Sequence, residues 1–351
     1  MTKLKFRISD IKRHEAEAVE LTLTPISGKI PDYKSGQFLS IIRMEHNREI
    51  RRSYSICSSP FIDEPLKIVI KRIENGELSR WVYNRIKTGD FITTLAPGGQ
   101  FIYQPENNRE RTLFLFAAGV GITPLFSILK TALVAENKSK VVLIYSNKHY
   151  QLALFHDELI KWGEKYPNRL TILNLFSQSQ NLLSARLNKQ LIQELVQKHL
   201  EYERAKALFY TCGPMSYMDI CRLTLLGMGF DKSQIKRETF FITNEEGDDD
   251  DESENTPKDI NTYTVKLQFR AQQYVLSIPY NKTILDVALA NHLDLPYSCR
   301  AGMCSTCMAN CTNGIVKMDY NEVLTDEEVA KGKVLLCVGH PTQNNIEISY
   351  Q

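Results

Sequence analysis

Cys299, Cys304, Cys307 and Cys337 stand in the order C-x4-C-x2-C-x29-C. No other feature of the sequence restricts the fold so tightly. Three thiolates from one tight loop and a fourth from a distant strand can converge on a two-iron, two-sulfide cluster. Ala301 and Gly302 keep that loop slim, so its backbone N–H groups can reach the cluster sulfurs. Zinc is the competing ligand, but zinc ribbons favour two C-x2-C pairs, and here only Cys304 and Cys307 make one. Cys304, Cys307 and Cys311 also read C-x2-C-x3-C, part of a bacterial cluster run without its first C-x2 step or its final proline. Cys311 is therefore expected to be a buried thiol that ligates nothing, and Cys57 and Cys221 to be core residues.

The chain has 351 residues, enough for two or three domains. Its charge is unevenly spread. Residues 1–243 hold 35 Lys and Arg against 24 Asp and Glu, residues 244–260 hold 1 against 9, and residues 261–351 hold 7 against 8. No Lys/Arg run with interleaved aromatics occurs, so the basic body reads as a solvated face and not as a nucleic-acid surface. The longest apolar run, Leu113 to Ile122, falls well short of the roughly 20 residues that span a bilayer, so no membrane span is expected. Four clustered cysteines and a start without an apolar signal segment point to a reducing cytoplasm.

The acidic stretch 244–260 cannot bury apolar surface and repels itself, so it reads as an extended linker. Ahead of it, residues 1–106 show short β-rich runs such as Phe38–Met44, Ser53–Cys57 and Leu66–Ile73, broken by turn signals, as in an antiparallel barrel. Within 107–243 a buried strand Leu113–Ala118, a Gly-rich turn, a helix Leu125–Val134 and a strand Val141–Tyr145 form a βαβ unit. Further strands near Leu170–Phe176 and Ala207–Thr211 alternate with helices near Leu187–His199 and Met215–Met228, giving a doubly wound α/β domain. Residues 261–351 read as α+β: two β runs, a helix over Ile284–Asn291, then the cysteine loop.

Three further motifs carry chemistry. Arg52-Ser53-Tyr54-Ser55 lies on a barrel strand, where alternation puts Arg52 and Tyr54 on one face and Ser55 on the other. Gly76-Glu77-Leu78-Ser79 opens a helix expected over Ser79–Arg85, whose free N–H groups suit a pyrophosphate. Gly119-Val120-Gly121, followed by Thr123-Pro124, turns from a buried strand into a helix and suits a dinucleotide phosphate, although Pro124 stands where the usual fingerprint has its third glycine. No H-E-x-x-H, G-x-S-x-G or Walker A run occurs, so hydrolase and kinase readings lack support.

Taken in order, R-x-Y-S, G-x-x-S, Ala118-Gly119-Val120-Gly121-Ile122-Thr123-Pro124 and Cys212-Gly213-Pro214 resemble the ferredoxin-NADP reductase superfamily. With a plant-type ferredoxin module at the C-terminus, the chain is most similar to oxygenase reductases of the phenylacetyl-CoA epoxidase type. The resemblance implies a flavin-binding barrel, a nucleotide domain and a β-grasp ferredoxin domain, with FAD, NADPH or NADH and a 2Fe-2S cluster as cofactors. It implies that Arg52 pairs with the flavin pyrophosphate, Tyr54 stacks on the isoalloxazine and Ser55 bonds near its N5. One of Arg51 and Arg52 is then surplus and expected in solvent. Gly76, Leu78 and Ser79 join the flavin site, while Gly119, Val120, Gly121, Thr123, Pro124, Gly213 and Pro214 join the nucleotide site. Cys212 walls the nicotinamide, and Glu238 and Phe240 close the reductase part.

Ser177 and Arg186 are the candidates for a 2′-phosphate, with no acidic residue in that loop to claim a free 2′-hydroxyl. The implied activity passes electrons from NAD(P)H through FAD and the cluster to a partner oxygenase. Phenylacetyl-CoA epoxidase, a Rieske oxygenase, a desaturase, a P450 and small acceptors all stay open as recipients. A zinc-stabilised binding protein is the non-enzyme alternative.

Overall fold

The computed structural model describes residues 3–45, 48–178, 186–240, 260–321 and 323–350. The predicted linker, apart from Ile260, lies outside them. The chain divides after Phe240 into two compact units.

The first unit begins with strands β1 (Lys3–His14), β2 (Ala18–Pro25), β3 (Phe38–Glu45), β4 (Arg48–Ser55) and β5 (Leu66–Lys71), then helix α1 (Glu77–Arg85) and β6 (Phe91–Leu95). Their order is β4-β3-β6-β1-β2-β5, all antiparallel, and Ile56 bridges Ile68 so that the end of β4 meets β5 and the barrel closes. Alternation buries Phe6, Ile8, Leu21, Leu23, Leu39 and Ile41, while Leu78 and Val82 of α1 and Ile86 just after it join the same core. Each such burial contributes about 1.5–3 kcal/mol, so truncating one, as in Leu39→Ala, costs about 2–5 kcal/mol.

The same unit continues through β7 (Thr112–Ala118), α2 (Ile122–Ala135), β8 (Lys140–Asn147), α3 (His156–Lys165), β9 (Leu170–Phe176), α4 (Lys189–His199), β10 (Ala207–Cys212), α5 (Met215–Gly227) and β11 (Ile235–Glu238). The five strands are parallel, ordered β11-β10-β7-β8-β9. After Thr112, β7 is apolar to its end, and both its faces are covered. Leu113, Leu115 and Ala117 pack with α2 and α3, while Phe114 and Phe116 pack with α4 and α5. The winding reverses between β7 and β10, so the ligand crevice of this sheet lies at their carboxyl ends. Helix α2 starts at Ile122, three residues before the predicted Leu125. Pro124 does not stop it, because a first-turn residue has no intrahelical acceptor for the N–H that proline lacks.

The second unit holds β12 (Thr262–Phe269), β13 (Gln272–Pro279), α6 (Ile284–Ala290), β14 (Met308–Asn313), β15 (Val316–Met318), α7 (Asp326–Ala330), β16 (Lys333–Leu335), β17 (Gly339–Pro341) and β18 (Ile346–Ser349). A mixed five-stranded sheet, β13-β12-β18-β14-β16, packs against α6. Thr283 caps α6 in a reciprocal box with Asp286, and Ile284, Leu285 and Ala288 form its buried face.

Candidate functional site

The turns after β7 and β10 nest against each other at the switch point, and glycine makes this possible. A Cβ on Gly121 would lie 2.2 Å from the Cys212 carbonyl oxygen, and one on Gly213 would lie 2.8 Å from the Ala118 Cβ. Gly119 has φ +54°, a left-handed conformation that side chains disfavour. The Tyr145 hydroxyl donates to the Gly119 carbonyl at 3.2 Å, and the Thr123 hydroxyl donates to Val120 at 3.0 Å. Thr123 and Pro124 are buried, while Gly119 and Val120 are only partly so. Pro214 is exposed and precedes α5 as its N-cap.

Three residues far apart in sequence meet beside this crevice. Cys212 ends β10 directly opposite Glu238 of β11, and Ser55, at the end of barrel strand β4, donates from Oγ to Glu238 Oε2 at 3.3 Å. Burial pushes the Glu238 carboxyl up to about 8, against the Ser55 hydrogen bond, which favours the ionised form. Cys212 is fully buried, and burial together with the nearby Glu238 charge pushes its thiol well above the ordinary range. It is thus a neutral wall and not a nucleophile.

On the opposite face of β4, Tyr54 packs on the barrel core and burial pushes its phenol upward. Arg52 is half-buried, with Nη1 donating to the Arg51 carbonyl at 2.8 Å. The expectation that one of the two arginines stands in solvent is corrected: Arg51 is only 5% exposed and its Nε pairs with Glu49. Helix α1 begins at Glu77 rather than Ser79, which puts the Leu78 and Ser79 amides in its first turn, where intrahelical acceptors are lacking. The Ser79 hydroxyl donates to Gly76 O at 3.1 Å and accepts from Ile73 N at 3.2 Å, so it shapes the loop while the amides stay available. Gly76 has no room for a side chain, since a Cβ there would sit 2.4 Å from Ser79 Oγ.

The loops after β8 and β9 are zipped together. Ser177 N donates to Asn147 O at 2.9 Å and Gln178 N to Lys148 O at 3.1 Å. Exposed Lys148 is thereby carried next to half-buried Ser177, a cation that sequence reasoning missed because the two loops are far apart in the chain. Arg186 is exposed ahead of α4, and its carbonyl accepts from the Asn188 side chain at 3.3 Å. Phe240 is 38% exposed.

In the second unit the cysteine loop wraps its amides around sulfur. Ala301 N and Met303 N point at Cys299 Sγ, Cys299 N at Cys304 Sγ and Gly302 N at Cys337 Sγ, each at 3.4 Å. Left-handed Arg300, Gly302 and Ser305 aim the loop inward, and a Cβ on Gly302 would meet Tyr320 O at 2.5 Å. Among the described residues, no three donor side chains are placed to hold one metal ion. The four free thiols instead neighbour one another as Cys304–Cys299–Cys337–Cys307. The Cys299 thiol and burial push the Cys304 thiol well above the normal thiol range, so a metal bound there would have to displace its proton. Four amides directed at sulfur fit thiolates bearing negative charge. Cys311, on β14, lies outside this chain of thiols, but it is only partly buried and not buried as expected, because it sits where β14 runs out toward the Asn313 and Gly314 carbonyls that its thiol faces. Cys57 and Cys221 are buried in the apolar cores.

Three family models match the chain: an oxidoreductase FAD-binding domain over residues 13–103, an oxidoreductase NAD-binding domain over 115–222 and a 2Fe-2S iron-sulfur cluster binding domain over 269–342. Over 91% of its length the chain is 33% identical to a subunit of the 1,2-phenylacetyl-CoA epoxidase of Escherichia coli, covering 88% of that protein. It belongs to the oxygenase reductases of the ferredoxin reductase superfamily. This reductase is also 32% identical to the ferredoxin reductase component of 3-ketosteroid-9-alpha-monooxygenase from Rhodococcus rhodochrous, with the same coverage. In fold it is similar to phthalate dioxygenase reductase, at a TM-score of 0.59 and 21% identity, over 99% of this chain and 98% of that one. The reductase is an oxidoreductase with FAD-, NAD- and 2Fe-2S-binding domains, and no helix among its described residues is long and apolar enough to cross a membrane.

Proposed function

We propose that the reductase takes a hydride from NADPH beside Ser55, Cys212 and Glu238 and delivers electrons singly, through a cluster on Cys299, Cys304, Cys307 and Cys337, to a partner oxygenase in the cytoplasm. The observation that carries this reading is the meeting of those first three residues from separate strands at the switch point. FAD and the cluster supply the conversion of an electron pair into single electrons, which side chains cannot perform. The chain's own groups bind, orient and move protons. Arg52 and the α1 amides of Leu78 and Ser79 hold flavin phosphate, Tyr54 offers a ring face, and the Gly119–Gly121 turn holds the nicotinamide dinucleotide. Gly213 and Pro214 shape the other wall, Phe240 would offer an aromatic ring to a bound flavin, and Glu238 holds a proton one hydrogen bond from Ser55 Oγ.

NADPH is favoured over NADH because Lys148 and Ser177 bring a cation and a hydroxyl together in the loops after β8 and β9, and Arg186 adds a guanidinium suited to a 2′-phosphate. A phenylacetyl-CoA epoxidase is the first candidate partner, because the Escherichia coli relative is named as part of one. A steroid monooxygenase is the second, since identity to its reductase component is nearly equal. Reconstitution with each purified oxygenase tests the choice: coupled turnover of one substrate at a rate matching NADPH use supports that partner. Reduction of ferric chelates or quinones without coupling to either oxygenase would instead identify a self-sufficient reductase.

A further inference from the structure

Between the barrel and helix α2 runs a seam of polar side chains inside an otherwise apolar core. The Ser127 hydroxyl donates to the Ser58 carbonyl at 2.6 Å, and the Ser59 and Thr131 hydroxyls lie 2.7 Å apart, with Ser35 also on Thr131. Lys130 Nζ reaches Glu64 Oε1 at 2.6 Å, and that same oxygen accepts from Ser59 N at 2.7 Å. Ser58, Ser127 and Thr131 have no exposed surface, while Ser35 and Ser59 keep 1% and Lys130 keeps 4%. Around them pack Cys57, Val69, Phe101, Leu125 and Ile128.

Stability alone does not account for this arrangement. Apolar side chains of similar volume would cover the same surface without the desolvation of so many hydroxyls, which hydrogen bonding only offsets. What hydrogen bonds add is direction: apolar contact tolerates sliding, whereas a hydroxyl pair holds one register. The seam also sits where register matters. Ser58 follows Ser55 by three residues, and α2 begins immediately after Gly121, with Ser127 and Thr131 about 8–14 Å along the helix from that turn.

We propose that this seam locks the barrel to α2 so that hydride donor and acceptor meet in register, which makes Ser59, Ser127 and Thr131 positioning residues. The inference rests on reading Ser55, Cys212 and Glu238 as the hydride-transfer site. In that step the C4–H bond of the dihydronicotinamide breaks with its electron pair and an N–H bond forms at flavin N5, oxidising the nicotinamide and reducing the flavin.

Thr131→Val removes the central hydroxyl at constant volume. In the holoenzyme, kcat for NADPH-dependent ferricyanide reduction should fall about tenfold, as for a sub-ångström misplacement, with KM for NADPH unchanged. The primary deuterium isotope effect from 4-deuterated NADPH should rise. Without cofactors, amide hydrogen exchange in 58–64 and 122–131 should accelerate, and Thr131→Ser should restore every readout. Ser127→Ala, which deletes a single bond, should show the same pattern in smaller measure and keeps the test open if the valine variant does not fold. Unchanged kcat and isotope effect alongside a lowered melting temperature would reduce the seam to a stabilising contact and overturn the proposal. Ser55→Ala is the control: if it too leaves hydride transfer unchanged, the site reading is at fault, and if it alone slows the step, only the seam proposal fails.

Discussion

Glu238→Gln isolates the proton that the candidate site holds. With its pKa raised to about 8, the carboxyl is protonated in roughly ten molecules for each ionised one at pH 7, and the ratio inverts by pH 9. Ionisation places a negative charge one hydrogen bond from Ser55 Oγ, where a hydride would arrive. If only the protonated form is competent, the rate of NADPH-dependent ferricyanide reduction falls about tenfold between pH 7 and 9. Glutamine keeps the shape and stays neutral, so its profile should be flat over the same range. The infrared carboxylic-acid carbonyl band of the wild type should disappear through the same apparent pKa near 8 and be missing from the variant. Superimposable pH profiles, or a carboxyl already ionised at pH 6, would refute the assignment of this proton to Glu238.

Arg52→Ala removes a guanidinium assigned to flavin phosphate and should weaken FAD binding by about 1.5–3 kcal/mol, read by equilibrium dialysis; equal affinity would take Arg52 out of the site. Cys304→Ser should abolish cytochrome c reduction while preserving ferricyanide reduction by the flavin, and parallel loss of both with FAD still bound would contradict the order of electron flow. Glu20, 3% exposed in the barrel wall, is opposed by burial yet held down to about 2 by His14 at 3.3 Å and Lys67 at 2.8 Å. Its folded pKa lies below the unfolded 4.5, so its contribution is complete above pH 4.5 and is lost as pH falls toward 2. That contribution is on the order of 3 kcal/mol. Urea midpoints of the wild type should drop over that window and those of Glu20→Gln should not; parallel curves would show the pair to be inert.

The cysteine loop was legible because ligand spacing is written locally, and the parallel sheet because β7 is apolar on both faces. The Gly119–Gly121 turn was legible for a related reason: backbone approach demands small residues at fixed positions. Helix starts were less so, since Gly76 and Pro124 act through capping and first-turn geometry that residue types alone underdetermine. Glu238 could be named from its family position, but its raised pKa depends on burial between strands from two sheets. Lys148 and the Ser59–Thr131 seam were illegible, because ordinary polar residues acquire meaning only when the tertiary fold brings distant loops together.

The central claim, a two-electron entry with a one-electron exit through four cysteines, is tested most directly by anaerobic titration of the purified reductase with NADPH. Flavin and iron–sulfur absorbance would be followed, with iron and acid-labile sulfide measured on the same sample. The account predicts two irons and two sulfides per chain and full bleaching at about one and a half equivalents of NADPH, two electrons for the flavin and one for the cluster. Bleaching complete at one equivalent, with zinc or no metal in place of iron, would contradict it.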